Sequence, residues 1–222
     1  MKPLSWSWLG RLPYREALEM QRKHRTGVID GTSPETLWLL EHDPVITTGR
    51  RPVPGLMSPT DLAARGVDFH RTERGGLATY HGPGQLVAYA IVDCWDRGIG
   101  ARGAVHAMEQ GVINWLASLG LPADRRAGFP GVWVGNNKIC AVGMHFKKGV
   151  SMHGLGLNLT EGLHGFELIT PCGITDGGVT TLQTLTSNVL SPVDAAQDLG
   201  PHLVHSFLNP ICTLNTPSCD AS

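Results

Sequence analysis

Ile139-Cys140-Ala141-Val142-Gly143-Met144-His145-Phe146-Lys147-Lys148-Gly149-Val150-Ser151-Met152-His153-Gly154-Leu155-Gly156-Leu157-Asn158-Leu159 holds two apolar stretches divided by a short polar turn. Ile139 to Phe146 and Val150 to Leu159 are of strand length, and Lys147-Lys148-Gly149 supplies the turn residues of a hairpin. Gly131 to Val134 just upstream reads as a further antiparallel strand. Toward the N-terminus, Leu37 to Glu41, Val45 to Thr48, Val67 to Arg71 and Gln85 to Val92 read as short strands separated by Gly and Pro, and Tyr14 to Val28 as a polar helix. Val105, Met108, Val112, Trp115, Leu116 and Leu119 recur at helical spacing and end at Gly120 and Pro122, which predicts a second helix. Ser191-Pro192 offers an N-cap and first-turn proline for a last helix from Val193 to Leu208. Strands and helices do not alternate as in a doubly wound sheet. The fold class is therefore α+β, a mixed and mainly antiparallel sheet packed with helices.

Composition excludes several classes of function. The 222 residues fit one domain, taken as 1–212 with a loose tail over 213–222, and no linker or internal repeat divides them. With 41% hydrophobic and 17% charged residues the chain is globular rather than disordered. A formal net charge of -1 gives no general attraction to nucleic acid or to an anionic membrane, so neither is expected as a partner. No apolar run reaches membrane-span length and Met1 to Arg11 lacks a signal-peptide core, which makes the cytoplasm the expected location. Five cysteines without C-x-x-C spacing are expected to be free thiols. Glycine supplies 28 residues, nearly twice the usual share of about 7%, and many fall between Gly75 and Gly178, so the excess has a local cause. Tight turns and exposed backbone amides around a site are one such cause.

The run Arg74-Gly75-Gly76-Leu77-Ala78-Thr79-Tyr80-His81-Gly82-Pro83-Gly84-Gln85-Leu86-Val87-Ala88-Tyr89 places four glycines, an arginine and a histidine ahead of an apolar strand. Such a segment can set bare amides, a hydroxyl and a cation against an acyl or anionic group; a hairpin with a surface arginine is the plainer alternative. It is not a phosphate loop. Neither G-x-x-x-x-G-K-[ST] nor a strand-flanked G-x-G-x-x-G occurs, so nucleotide use has no motif behind it. Cys172, between Pro171 and Gly173 and downstream of the lysine in Asn136-Asn137-Lys138, suggests a nucleophilic thiol, with an inert core cysteine as the other reading. His42, His81, His145 and His153 follow no standard zinc spacing, so no metal and no other cofactor is expected.

The sixteen-residue run resembles R-G-G-x-x-T-[aromatic]-H-x-x-G-Q-x-x-x-Y, the signature of the octanoyl-[acyl-carrier-protein]:protein N-octanoyltransferases of lipoate biosynthesis, and meets every fixed position. Glu41-His42-Asp43-Pro44-Val45-Ile46-Thr47-Thr48-Gly49-Arg50 resembles the same family's E-H-x-P-V-x-T-x-G-R. Asn137 to Gly143, Phe146 to Asn158 and Pro171-Cys172-Gly173 follow in the family's order, so the likeness spans Glu41 to Leu182.

The resemblance implies the fold of the biotin and lipoate protein ligases. It implies an acyltransferase that moves octanoyl from octanoyl-acyl carrier protein to a lysine ε-amine on lipoyl domains of 2-oxoacid dehydrogenase complexes and on the glycine cleavage H protein. It also implies Cys172 as the thiol that carries the acyl group as a thioester, and Lys138 as the ammonium that lowers its pKa and then serves as general acid and base. Substrate-binding positions are implied at Arg74, Gly75, Gly76, Leu77, Ala78, Thr79, Tyr80 and His81, at Ala141, Val142 and Gly143, and at Gly154, Leu155 and Gly156. The enzyme is expected to act as a monomer without ATP, because the thioester already carries the activation. Leu77, Val142, Leu155 and Leu157 are candidate walls for the C8 chain. Competing readings are an adenylate-forming ligase of the same fold, a thiol hydrolase, and a non-catalytic binder of lipoyl domains.

Overall fold

A computed structural model describes residues 2–53, 55–160, 164–169, 177–186 and 189–210. In chain order the strands are β1 (Ser5–Leu12), β2 (Thr36–His42), β3 (Val45–Thr48), β4 (Asp68–Arg71), β5 (Ala78–His81), β6 (Gln85–Ile91), β7 (Asp124–Arg126), β8 (Phe129–Val134), β9 (Asn137–Lys147), β10 (Val150–Asn158) and β11 (Gly178–Val179). The helices are α1 (Tyr14–Ile29), α2 (Pro59–Ala63), α3 (Gly100–Ser118), α4 (Leu182–Thr186) and α5 (Pro192–Leu208), with one 3-10 turn over His164–Leu168. The large sheet runs β1-β2-β6-β10-β9-β8-β7, with β11 on β9, and a small sheet runs β4-β3-β5. Parallel pairing is confined to β1 with β2, β3 with β4, and β11 with β9. The rest is antiparallel, as the α+β reading expects.

The hairpin from which the sequence was read sits at the middle of the large sheet. Val150 pairs with Lys147, leaving Lys148 (φ 49°) and Gly149 (φ 80°) as a two-residue turn with both backbones left-handed, the geometry that suits strand twist. Trp95 lies against Gly149 so closely that a Cβ there would overlap the indole, so the turn needs glycine for space as well as for backbone angle.

Strict alternation in β6 shows why the sheet needs helices on both faces. Leu86, Ala88 and Ala90 join the core under α3 and α5, whereas Val87, Tyr89 and Ile91 join the cluster under α1. Tyr14, Ala17, Leu18, Gln21, Arg25 and Val28 form the buried stripe of α1, so even this polar helix docks through one face. The structure adds β1, which the sequence reading left unassigned, and resolves the glycine-rich run into two strands of different sheets. β5 belongs to the small sheet and β6 to the large one, so the segment crosses between sheets rather than closing a hairpin.

The last helix is capped as its sequence predicts: the Ser191 hydroxyl accepts from the Asp194 amide, and Pro192 opens the first turn. It crosses α3 where Gly111 leaves room, since a Cβ there would stand 3.0 Å from the Cα of Leu203 and 2.7 Å from its Cδ2. Gly111→Val is expected to force the two helices apart and to lower unfolding free energy by about 1–3 kcal/mol, despite the better helix propensity of valine. Urea denaturation checks this; an unchanged midpoint would show that α5 can retreat freely.

Candidate active site

Between the glycine-rich segment and the β9–β10 hairpin lies a cavity of about 410 Å³. Arg74 through Thr79 and His81 line one side, Ala141 through Gly143 and Gly154 through Gly156 the other, and Lys138 one end. These walls are near because Gly143 and Gly154 are register partners in the hairpin and the Gly75 amide donates to the Met144 carbonyl at 3.0 Å. Of the positions anticipated from sequence, Tyr80 is turned away. Its ring packs edge-on against Phe166, 5.7 Å between centroids, within the small sheet's own apolar cluster. Leu77, Val142 and Leu155 lie on the wall, while Leu157 is in the main core under α3 instead. Tyr14, Arg51, Tyr89, Val105, Gly128, Phe129, Pro130, Met144, Phe146 and His153 also line the cavity, beyond the substrate-binding positions that the resemblance implies. Tyr89, Phe146 and His153 fall inside the family motifs, whereas Val105 shows in the sequence only as an apolar helix position and Phe129 not at all; these two arrive on α3 and β8.

Lys138 sits on β9 with its ammonium donating to the Pro130 carbonyl at 3.1 Å and lying 4.8 Å from the Trp133 ring centroid. Cys172 lies outside the described residues. On either side of it in the chain, Ile169 is buried in the small sheet's cluster, and Gly178 and Val179 pair with Asn137 and Lys138. β8 already occupies the other edge of Asn137 and Lys138, so β11 takes the edge that β10 leaves free beyond Cys140. Cys94 and Cys140 are the buried cysteines among the described residues, and burial pushes both thiols up, Cys94 to about 12. Neither offers a thiolate at neutral pH.

The wall toward the small sheet is a cluster of buried polar rings in which the protons of His42 and His81 are fixed by their partners. His42 Nδ1 faces the Leu12 carbonyl at 2.7 Å and must donate, so its Nε2 accepts from the Tyr89 hydroxyl at 2.7 Å. The Gln85 amide nitrogen donates to Tyr80 and Asn158, which leaves Gln85 Oε1 to accept from His81 Nδ1 at 2.6 Å. Asn158 passes the chain of bonds on to the Thr180 carbonyl at 3.1 Å. His153 takes a left-handed backbone, φ 64°, with its amide donating to Gln21 Oε1. Burial holds His42 at about 4 and His81 and His153 at about 3, and it raises Tyr14 to about 12. Arg74 is buried with its guanidinium on Thr47 and the Gly75 carbonyl, so it builds the wall by joining β3 to the glycine-rich segment. Among the described residues no group of three or more metal-binding side chains converges.

The sequence family described as the lipoyl protein ligase A/B catalytic domain matches residues 13–203. The chain belongs to that family. An octanoyltransferase of Chloroflexus aurantiacus is 46% identical over 187 residues, covering 82% of this chain and 84% of that one. The mitochondrial octanoyl-[acyl-carrier-protein]:protein N-octanoyltransferase of Danio rerio is 41% identical over 214 residues, covering 93% and 92%. Within the family the chain is therefore an acyltransferase of the octanoyltransferase branch. Among solved structures, lipoate-protein ligase A bound with ATP has a TM-score of 0.68 at 16% identity, covering 94% of this chain and 84% of its own. Biotin protein ligase from Aquifex aeolicus has a TM-score of 0.53 at 12% identity, covering 94% and 71%. These likenesses show the fold, which is the biotin and lipoate protein ligase fold that the family resemblance implies.

The three histidines carry a pH signature. Each binds its proton more weakly in the folded chain than at the unfolded value near 6.5, so the unfolded state takes up protons first. Their neutral burial stabilises the fold fully above about pH 6.5, and that contribution is lost as pH falls toward 4 and 3. Unfolding free energy should therefore drop between pH 7 and pH 4.5, with His42→Gln flattening the drop by about 2 kcal/mol. Denaturation at the two pH values measures it; an equal drop in wild type and variant would mean His42 is not held neutral.

Proposed function

We propose that this enzyme transfers an octanoyl group from octanoyl-acyl carrier protein to the ε-amine of a lysine on lipoyl domains, with Cys172 carrying the acyl group between them and Lys138 managing the protons. The observation that carries the reading is the return of the chain, six residues after Cys172, onto the edge of β9 at Asn137 and Lys138. A lysine on a rigid strand at the end of an apolar-walled cavity is thereby joined to the segment that holds the family's cysteine. The family membership and the octanoyltransferase relatives support the acyl group, and the Danio rerio relative's name supports the carrier-bound donor.

In the proposed reaction the Lys138 ammonium favours the Cys172 thiolate over the thiol. The thiolate attacks the thioester carbonyl carbon, a new C–S bond forms, and the carrier's C–S bond breaks. The departing thiolate takes the proton of the Lys138 ammonium, leaving Lys138 a neutral amine and the octanoyl group on Cys172. The acceptor amine then attacks the same carbon, Lys138 takes up its proton, and Cys172 leaves as a thiolate, which restores the starting pair. One thioester replaces another in the first half, so activation is conserved, and amide formation drives the second. The Pro130 carbonyl and Trp133 ring hold the ammonium at the end of the cavity, where it serves both halves.

Incubation with octanoyl-acyl carrier protein followed by intact-mass measurement is expected to show one added octanoyl group. It should disappear on adding a lipoyl domain and be missing in Cys172→Ala. Lys138→Ala should lower kcat/KM by about 10²–10⁴-fold. Octanoylation of the lipoyl domain by Cys172→Ser, requiring ATP and leaving no acyl-enzyme, would replace the transferase with a ligase.

A further inference from the structure

A second, more open cleft of about 440 Å³ continues from the cavity at the end away from Lys138, sharing with it Arg51, Arg74, Gly75, Gly76, Met144 and Phe146 and adding Arg50, Glu73 and His145. We infer that this cleft seats the phosphodiester of the donor's thioester arm, with the exposed guanidinium of Arg51 as its principal partner. The inference rests on the reading of the donor as a carrier-bound thioester and adds the subsite that recognises its anion.

The groups facing the cleft are matched to an anion. Arg51 is exposed at the junction of cavity and cleft, and its guanidinium has no hydrogen-bond or ion-pair partner among the described residues. Arg50 is exposed beside it and uses its Nε on the Glu73 carbonyl at 3.2 Å. Arg25 can only donate, so its 2.8 Å contact makes His145 Nδ1 an acceptor and puts the proton of the neutral ring on Nε2, a second kind of donor for the cleft. Glu73 is the acid on the cleft's wall, and it is already matched: Arg22 bonds it at 3.0 Å. Burial alone would raise the Glu73 carboxyl, but the Arg22 bond and charge outweigh it and hold the group below its usual range. The cleft therefore presents uncompensated guanidinium charge and N–H donors, the pairing that planar phosphate recognition favours.

Length agrees with charge. Lys138 and Met144 both line the cavity and lie six residues apart on β9, about 20 Å at roughly 3.3 Å per residue. A pantetheine arm places about 13 bonds between sulfur and phosphorus, roughly 15 Å at the 3.3–3.6 Å that an extended chain gains per three bonds. A thioester held at Lys138 thus brings its phosphate to the neighbourhood of Arg51, where the flexible guanidinium stem covers the remainder. The octanoyl chain is left to the apolar wall of Leu77, Val105, Val142 and Leu155.

The test is binding of non-transferable analogues in which an amide replaces the thioester: octanamido-4'-phosphopantetheine and octanamido-pantetheine, titrated calorimetrically against the full chain. The phosphorylated analogue is expected to bind about tenfold more tightly, and the advantage should shrink with added salt. Arg51→Ala should abolish the ratio, Arg51→Lys should keep part of it, and Lys148→Ala, a cation at the hairpin tip outside the cleft, should leave it standing. Equal binding of the two analogues by wild type, or a ratio that survives Arg51→Ala, overturns the inference. A ratio lost equally in Lys148→Ala also overturns it, because the preference would then come from the general field. Binding does not require the acyl-enzyme, so the cleft can be upheld when the mass experiment fails, and the transfer reaction can stand when the cleft does not.

Discussion

Two buried side-chain amides, Gln85 and Asn158, tie the site together. Gln85 accepts from His81 and donates to Tyr80 and to Asn158, and Asn158 donates to Thr180. This chain of bonds runs from the end of β5, across the first residue of β6 and the last of β10, to the residue after β11. It therefore joins the small sheet, the large sheet and the strand that returns beside Lys138. Both amides are essentially inaccessible to solvent, so a lost partner leaves a polar atom stranded where water cannot replace it. That asymmetry makes the junction stiff: each residue has its amide orientation dictated by the next, and none can flip alone.

The same logic governs the rings around it. Burial drives His42, His81 and His153 to the neutral form, and neutrality gives each ring one donor and one acceptor. His42 uses both, between Leu12 and Tyr89, so it joins the end of β1 to β6. A low-dielectric wall of this kind surrounds the cavity with fixed dipoles and no mobile charge. The Arg74 guanidinium within the wall is itself fixed on Thr47 and the Gly75 carbonyl, and Lys138 and Arg51 are the other cations on the lining. In the proposed reaction the apolar part of the lining takes the hydrocarbon, and the cations are left for the sulfur and for any anion on the arm.

Much of this was legible in the sequence, and the reasons are physical. The β9–β10 hairpin declared itself because turn residues separate two apolar runs, and α3 because its apolar residues keep a helical period. The glycine-rich segment showed its chemistry but not its path. Ala78 to His81 is too short and too flanked by glycine to read as a strand, and its partner, β3, lies thirty residues upstream in a separate sheet. β1 was hidden because Ser5 to Leu12 alternates without a clean apolar face, its pairing with β2 being set by the crossover of α1. Tyr80 shows the limit of carrying a motif over as a block. Its neighbours Thr79 and His81 reach the cavity, while its own ring supports the small sheet from behind.

Lys138 illustrates why the hairpin had to be built this way. A lysine at the end of a cavity is useful only if its ammonium is aimed, and a four-carbon stem has considerable rotamer entropy to lose. Here the strand fixes the stem's origin through β8 on one edge and β11 on the other, while Trp133 and the Pro130 carbonyl restrict its tip. Trp133 is itself the register partner of Lys138, so aiming the ammonium costs no element beyond those that build the sheet. On the N-terminal side of Cys172 Ile169 is buried in the small sheet's core, and on its C-terminal side Gly178 and Val179 pair with Asn137 and Lys138 on the edge of β9 that β10 leaves free. In the proposed reaction the proton carrier is held by the rigid framework, and the group that must accept and release an acyl chain comes from a connection between two anchored ends.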